Sequence, residues 1–271
     1  MSTIFSLPKD IYKNRRLVAK LAKNDFKTRY AGSYLGIVWA FIQPVITILV
    51  YWFVFSVGFR SGTGDLGVPF VLYLVAGIVP WFFFQDALIG GTNSLLEYNY
   101  LVKKVVFNIS VLPVVKIISA MFVHAFFVLF TIILYAAYGK FPDLYYLQII
   151  YYSGCVFMLV LGLSYATSAI VIFFRDLTQI INIVLQVGVW LTPIMWIVEN
   201  TPLVGHPVIM KILKLNPMYY IVSGYRDTFL MKNWFWEHVG WTIYFWAFTF
   251  LCFLFGSWVF KRLRIHFADV L

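Results

Sequence analysis

Residues 30–59, YAGSYLGIVWAFIQPVITILVYWFVFSVGF, carry no charged side chain. A bilayer core takes about 20 apolar residues in a helix, so this run is long enough to cross one. Further charge-poor apolar runs follow at 69–90, 111–138, 144–174, 177–198 and 239–260. The pattern predicts an all-α integral membrane protein with six transmembrane helices per subunit. Short connections, as at 139–143, predict antiparallel neighbours. Residues 199–238 are mostly apolar, but hold too many prolines and charges for a full span. Two short half-inserted outer helices, broken near Asn216 and Pro217, are predicted there, between spans five and six.

The segment ahead of the first span has a different period. At 100° per residue, Lys9, Lys13, Arg16, Lys20, Lys23 and Lys27 fall in one arc, and Ile11, Val18, Ala22 and Phe26 fall opposite. This predicts an N-terminal amphipathic interface helix, with its cations at anionic headgroups and its apolar stripe in acyl chains. Arg15, Asp25 and Arg29 interrupt the apolar face and need polar partners. The chain thus divides into a cytoplasmic interface segment, 1–33, and a six-span domain, 34–271, with an outer gate segment at 199–238.

Charge fixes the orientation of this scheme. Eight of the 21 Lys and Arg residues precede Tyr30. With six spans, 14 of them fall on the side of the termini and six on the other, Lys116 lying inside the third run. The positive-inside rule then places both termini in the cytoplasm. The formal net charge of +10 is explained by this asymmetry, and no nucleic-acid partner is expected. Only 12% of residues are charged and mean hydropathy is +0.85, so no stretch is left for a soluble domain. No signal-peptide pattern is seen. Cys155 and Cys252 lie in apolar runs and read as small buried hydrophobes.

Several chemistries lack their signatures. There is no G-x-x-x-x-G-K-[ST] loop for ATP, no H-E-x-x-H and no Cys/His cluster. Asp86 and His124 are the sole candidate proton-handling groups within the runs. A lone His in a span reads first as an interhelical hydrogen bonder. Catalytic and metal sites are therefore expected to be absent.

Two runs carry polar and aromatic stripes. Trp39, Gln43, Thr47 and Tyr51 recur every four residues in the first. Asn182, Gln186 and Trp190 recur every four in the fifth, with Gln179 ahead of them and Trp196 beyond. Such spacing puts each set on one helix face. Amides facing lipid are costly, so both faces should meet protein or water. Interhelical hydrogen bonding and a channel wall both satisfy this. In a channel, aromatic rings would stack on sugar faces while amides meet sugar hydroxyls. Pro44 and Pro193 are expected to kink these two runs. The cytoplasmic stretch 93–113 reads as a short amphipathic helix or a docking surface, and Arg175–Asp176 as a second contact.

The chain resembles the membrane subunits of ABC exporters of the type-2 permease family, in the branch exporting O-antigen, capsule or teichoic acid. The matching stretches are RYAGSYLGIVWAFIQPVITILVYWFVFS (29–56), YLVKKVVFNISVLPVVK (100–116), FFRDLTQIINIVLQVGVWLTPIMW (173–196), LNPMYYIVSGYRDTFL (215–230) and FADVL (267–271). One departure is Asn108-Ile109, where many relatives carry Pro-Arg after the Phe. The resemblance implies a homodimer with two copies of a separate P-loop ATPase, which alone would hold ATP and Mg. It implies a polyprenyl-diphosphate-linked glycan as substrate and the bacterial cytoplasmic membrane as the location. It implies that the pathway forms at the dimer interface, largely from the first and fifth spans, and so puts the channel at Trp39, Gln43, Thr47, Tyr51, Asn182, Gln186, Trp190 and Trp196. It places the lipid-diphosphate entrance at Arg29, Tyr30 and Tyr34. ATPase coupling falls to Glu97, Asn99, Lys103, Lys104, Arg175 and Asp176, and the outer gate to Asn216, Pro217, Tyr219, Tyr225 and Arg226. Three other readings stay open: a type-2 exporter of a drug or lipid, an ATP-independent flippase, and a membrane enzyme acting on lipid-linked sugars. The enzyme would need Glu199, His206 and Asp227 assembled on the outer side.

Overall fold

The structure, a computed structural model, describes residues 11–29, 32–59, 67–102, 108–198 and 201–270. Among these, all regular structure is helical. Helix α1 is Arg15–Thr28. Five helices are long and apolar enough to cross a membrane: α2 (Gly36–Gly58), α3 (Phe70–Glu97), α5 (Ile109–Ala137), α6 (Leu144–Val171) and α10 (Phe235–His266). A turn of helix, α4 (Asn99–Val102), follows α3. A shorter apolar helix, α7 (Leu177–Leu191), follows α6. Helices α8 (Pro207–Lys214) and α9 (Pro217–Arg226) precede α10.

Helix α3 is the axis of the bundle. Leu72, Leu74, Val75, Ala76 and Ile78 on successive faces are all fully buried, as its all-round apolar sequence requires. Helices α5, α6, α7 and α9 pack around it. Pro80 lies within α3 and Pro44 within α2. Neighbouring helices can re-satisfy the carbonyl that each proline frees. Because lipid is as apolar as the side chains, the bundle relies on close packing and interhelical hydrogen bonds. Tyr135 Oη donates to Leu72 O at 2.8 Å, Tyr165 Oη donates to Ser110 O at 3.0 Å, and Thr92 and Thr167 share a bond of 2.8 Å. Helices α6 and α10 meet at Gly162 and Gly256. A Cβ on Gly256 would lie 2.2 Å from Gly162 O, so the two backbones touch only because neither residue has one.

Three expectations are corrected. The fifth run does not stay helical to residue 198. It ends at Leu191, and Thr192 is extended at φ −86° and ψ 124°. Pro193 is the reason: its ring clashes with a helical conformation at the preceding residue. Pro193 therefore terminates α7 and does not kink it. At 15 residues, α7 is about 22 Å long, less than the roughly 30 Å hydrocarbon core. Second, the apolar stripe of α1 does not face acyl chains. Val18 and Ala22 are buried against α5, and Phe26 packs on Phe122 with ring centroids 5.7 Å apart. Lys13, Arg16, Lys20, Lys23 and Lys27 remain exposed. Third, the run beginning at residue 69 extends to Glu97. The expected amphipathic helix of 93–113 is thus divided: 93–97 end α3, 99–102 form α4, 103–107 lie outside the described residues, and 109–113 open α5.

The break at Asn216 is as expected. Its side chain accepts from Met218 N at 3.0 Å and Pro217 opens α9. Asn216 supplies the acceptor that the first turn lacks, and proline gives up only an amide with no partner in the helix.

Candidate functional site

The two polar stripes converge. A cavity of about 590 Å³ lies between α2, α3, α5 and α7. Gln43, Thr47 and Tyr51 of α2 and Asn182 and Gln186 of α7 all line it. Spacing by four keeps each set on one face, and packing of both helices against α3 brings the faces together. Trp81, Gln85 and Asp86 of α3 and His124 of α5 complete its polar and aromatic lining. The rest is apolar. A cavity with a few amides and hydroxyls in an apolar wall suits a ligand with many weak hydrogen-bonding groups.

The remaining members of the two stripes lie elsewhere. Trp39, Trp190 and Trp196 do not line this cavity. Trp190 is 52% exposed on the outer face of α7, beside Ile183, Val184 and Val187. Trp196 lies past the end of α7, and its Nε1 donates back to Trp190 O at 3.0 Å. The helix stop at Leu191 rotates Trp196 off the stripe.

His124 is an interhelical hydrogen bonder, as its solitary position suggested. Its Nε2 lies 2.9 Å from Tyr225 Oη and 3.1 Å from Ser153 Oγ, and its ring stacks on Phe83 at 4.6 Å. It thus joins the cavity wall to α9. Next to Tyr225 on α9, Arg226 is buried. Its Nη2 donates to Ile194 O at 2.9 Å and its guanidinium lies 3.6 Å over the ring of Tyr73. Arg226 holds the chain that leaves α7 against α9. Asn216 Nδ2 adds a second tie, donating to Thr192 Oγ1 at 2.8 Å. Tyr219 is half-buried on the same helix. Asp227 pairs with His238 at 3.7 Å and accepts from Asn233. His206 begins α8, with no bond to Asp227, and Glu199 lies outside the described residues. The grouping that an outer-side enzyme would need does not form between His206 and Asp227. Among the described residues, no cluster of His, Cys, Asp and Glu could hold a metal ion.

The other end of the bundle holds a charge network. Arg29 Nη1 donates to both oxygens of Asp86, at 2.8 and 2.7 Å. Arg29 also lies 3.7 Å from Asp25. Asp25 accepts from Lys116 Nζ at 2.6 Å and from Tyr98 Oη at 2.8 Å. Lys116 donates in addition to Glu97. Burial pushes the Asp25 carboxyl up, but the hydrogen bonds from Lys116 and Tyr98 and the charge of Lys116 outweigh it, and Asp25 ends below the ordinary range. This explains how polar residues are tolerated on the packed face of α1. The sequence marked Asp25 and Arg29 as needing partners. It did not mark Lys116 as functional, although a lysine inside an apolar run was the available signal.

Of the entrance residues, Arg29 is therefore paired, Tyr34 is fully exposed, and Tyr30 lies outside the described residues. Of the coupling residues, Glu97 ends α3 and Asn99 begins α4. Arg175 and Asp176 form the exposed turn before α7. Thr178 Oγ1 donates to Asn93 Oδ1 at 2.9 Å, which ties that turn to the end of α3. Lys103 and Lys104 lie outside the described residues.

Five helices long and apolar enough to cross a membrane, packed around a cavity with a few polar groups in an apolar wall, are the architecture of a multi-pass membrane protein with an internal binding space. The chain belongs to the ABC-2 type transporter family, whose profile matches residues 16–230. Members of this family are transport subunits and not enzymes on their own. Among its relatives is the O-antigen export system permease protein RfbA of Myxococcus xanthus, 28% identical over 82% of this chain and 84% of the relative. Two proteins of that name from Klebsiella pneumoniae are 24% and 26% identical, each over 94% of this chain and 95% of the relative.

Proposed function

We propose that this chain is the membrane-spanning subunit of an exporter that moves a lipid-linked cell-surface polysaccharide across the bacterial cytoplasmic membrane. The observation that carries this reading is the meeting of the α2 and α7 stripes on one cavity. Amides, a hydroxyl and aromatic rings on opposite walls offer repeated weak contacts, and stacking tolerates changes of register. A polymer can slide past such walls. The names of the relatives support the same cargo.

In this reading α7 and the segment after it complete a sixth crossing, and both termini face the cytoplasm. Helix α1 lies at the inner interface with its exposed lysines toward anionic lipid. Two copies form a homodimer. The exposed apolar faces of α2, with Ile46, Leu49 and Val50, and of α7, with Ile183, Val184 and Val187, would face lipid or the second copy. Trp39, Trp190 and Trp196 would then extend the passage between copies. Two copies of a separate ATPase bind ATP and Mg. They push on Glu97, Asn99, Lys103, Lys104 and the Arg175–Asp176 turn. ATP drives the change only through its different affinity for the two states of the complex. Arg29, with Tyr30 and Tyr34, receives the diphosphate of the carrier lipid. The segment around Asn216, Pro217, Tyr219, Tyr225 and Arg226 closes the outer end.

The test is to purify the tagged chain from its native membrane in mild detergent. A stoichiometric P-loop ATPase is expected with it, together with ATP-dependent delivery of the glycan to the cell surface. A preparation that keeps its dimer and has no ATPase would sink the reading. A second prediction concerns the walls. Gln43→Leu combined with Gln186→Leu should cut export at least roughly fivefold, about 1 kcal/mol on the rate-limiting step, with unchanged amounts of complex. Surface glycan measured against membrane protein checks this, and undiminished export removes both amides from the pathway.

A further inference from the structure

Two parts of the charge network differ in access. Lys116 and Asp25 are almost sealed, their side chains 6% and 5% exposed. Arg29 and Asp86 are 21% and 44% exposed, and Asp86 lines the cavity. The first pair is packed between α1 and α5. The second joins the end of α1 to the cavity wall through Asp86, and both of its members are partly exposed.

The contact itself resembles ligand recognition. One guanidinium nitrogen meets both carboxylate oxygens of Asp86. Guanidinium groups bind carboxylate and phosphate oxygens through the same charge-assisted bonds. Arg29 therefore already has an anion, supplied by the protein. Exposed Lys20, Lys23 and Lys27 on α1 draw further anions to this end.

We propose that Asp86 is an internal counter-ion that occupies the anion site of Arg29, and that the diphosphate of the carrier lipid displaces it. This rests on the reading above that the chain handles a diphosphate-linked glycan. A site filled by its own carboxylate binds any outside anion more weakly, by the fraction of time that the pair is open. Weakly bound anions stay out, and a headgroup with several charged oxygens competes. Displacement also has a consequence for shape. Arg29 lies beside Asp25, Asp25 holds Lys116, and Lys116 holds Glu97 at the foot of α3. Loss of the Asp86 contact loosens the end of α1 from α3 at the point where that chain of charges begins.

The experiment uses the full chain in nanodiscs of phosphatidylcholine, which carries no net charge. Binding of polyprenyl diphosphate is measured, with neutral polyprenol as control. Asp86→Asn should tighten polyprenyl diphosphate about twofold to fivefold, the worth of a part-exposed ion pair. Polyprenol binding should not change. Arg29→Gln should weaken the diphosphate in both the parent and the Asp86→Asn backgrounds. Unchanged affinity in Asp86→Asn, with weakening in Arg29→Gln, overturns the counter-ion and leaves the entrance reading intact. No effect of Arg29→Gln in either background removes Arg29 from the entrance and ends both. If Asp86→Asn does not assemble, Asp86→Ser removes the same charge and is judged by the same outcomes.

Discussion

Lys116→Met is expected to destabilise the protein by about 3 kcal/mol, the cost of leaving a buried carboxylate without its cation. Asp25 is 4% exposed and receives its shortest hydrogen bond from Lys116. Methionine replaces the stem of the lysine and not its charge. Arg29, 3.7 Å away, compensates only in part. Asp25→Asn in the Lys116→Met background should recover more than half of the loss, because the uncompensated charge is then gone. Thermal melting followed by detergent size-exclusion chromatography measures both. If the double variant melts no higher than Lys116→Met, the pair is not what stabilises this junction.

The same variant has a predictable pH dependence. In the parent, Asp25 titrates below the ordinary range. Its stabilising contribution is present above the unfolded value and is lost as pH falls through the lower folded one. In Lys116→Met the principal bond and charge that hold it down are removed, and burial then dominates and raises it. The penalty of a buried charge is greatest near neutrality and shrinks as pH falls and the carboxyl takes a proton. The melting gap between variant and parent should therefore narrow on acidification. A gap that widens contradicts the assignment.

Gly256→Val is expected to be as damaging, at about 3 kcal/mol or more, and to reduce the amount of folded protein recovered. The first atom of the new side chain would lie 2.2 Å from Gly162 O and 3.2 Å from Ala166 N. Both are backbone atoms of α6 and cannot rotate away. Helix α10 would have to leave α6, and in lipid close packing of this kind is a main source of helix association. Gly154→Ala is the matched control. It lies on the same helix α6, and a Cβ there meets nothing within 4 Å, so melting should stay within about 0.5 kcal/mol of the parent. Equal loss in both variants would show that the α6–α10 contact is not the cause.

These sites differ in how far the sequence revealed them. Gln43, Thr47 and Tyr51, and Asn182 and Gln186, were legible because helical periodicity alone aligns each set. That they face one another depends on how both helices pack on α3, which periodicity does not encode. Asn216 and Pro217 were legible as a break, because proline and a capping amide act within one turn. Pro193 was legible as a disturbance but misread as a kink. Its effect on Thr192 moved Trp196 away from the stripe. Asp25 and Arg29 were legible as misfits on an apolar face. Their partners were not, since Asp86 is 57 residues from Arg29 and Lys116 is 91 from Asp25.

By itself, then, the sequence determined that the chain is helical and membrane-embedded. Apolar length and the positions of proline and charge act locally, through backbone hydrogen bonding and the cost of burying charge in lipid. Only the tertiary structure decided which charges neutralise one another, where the cavity lies, and that Gly162 and Gly256 must be glycine. Each of these depends on contacts between helices far apart in the chain, and such contacts are set by side-chain shape and close packing, which leave no period in the sequence.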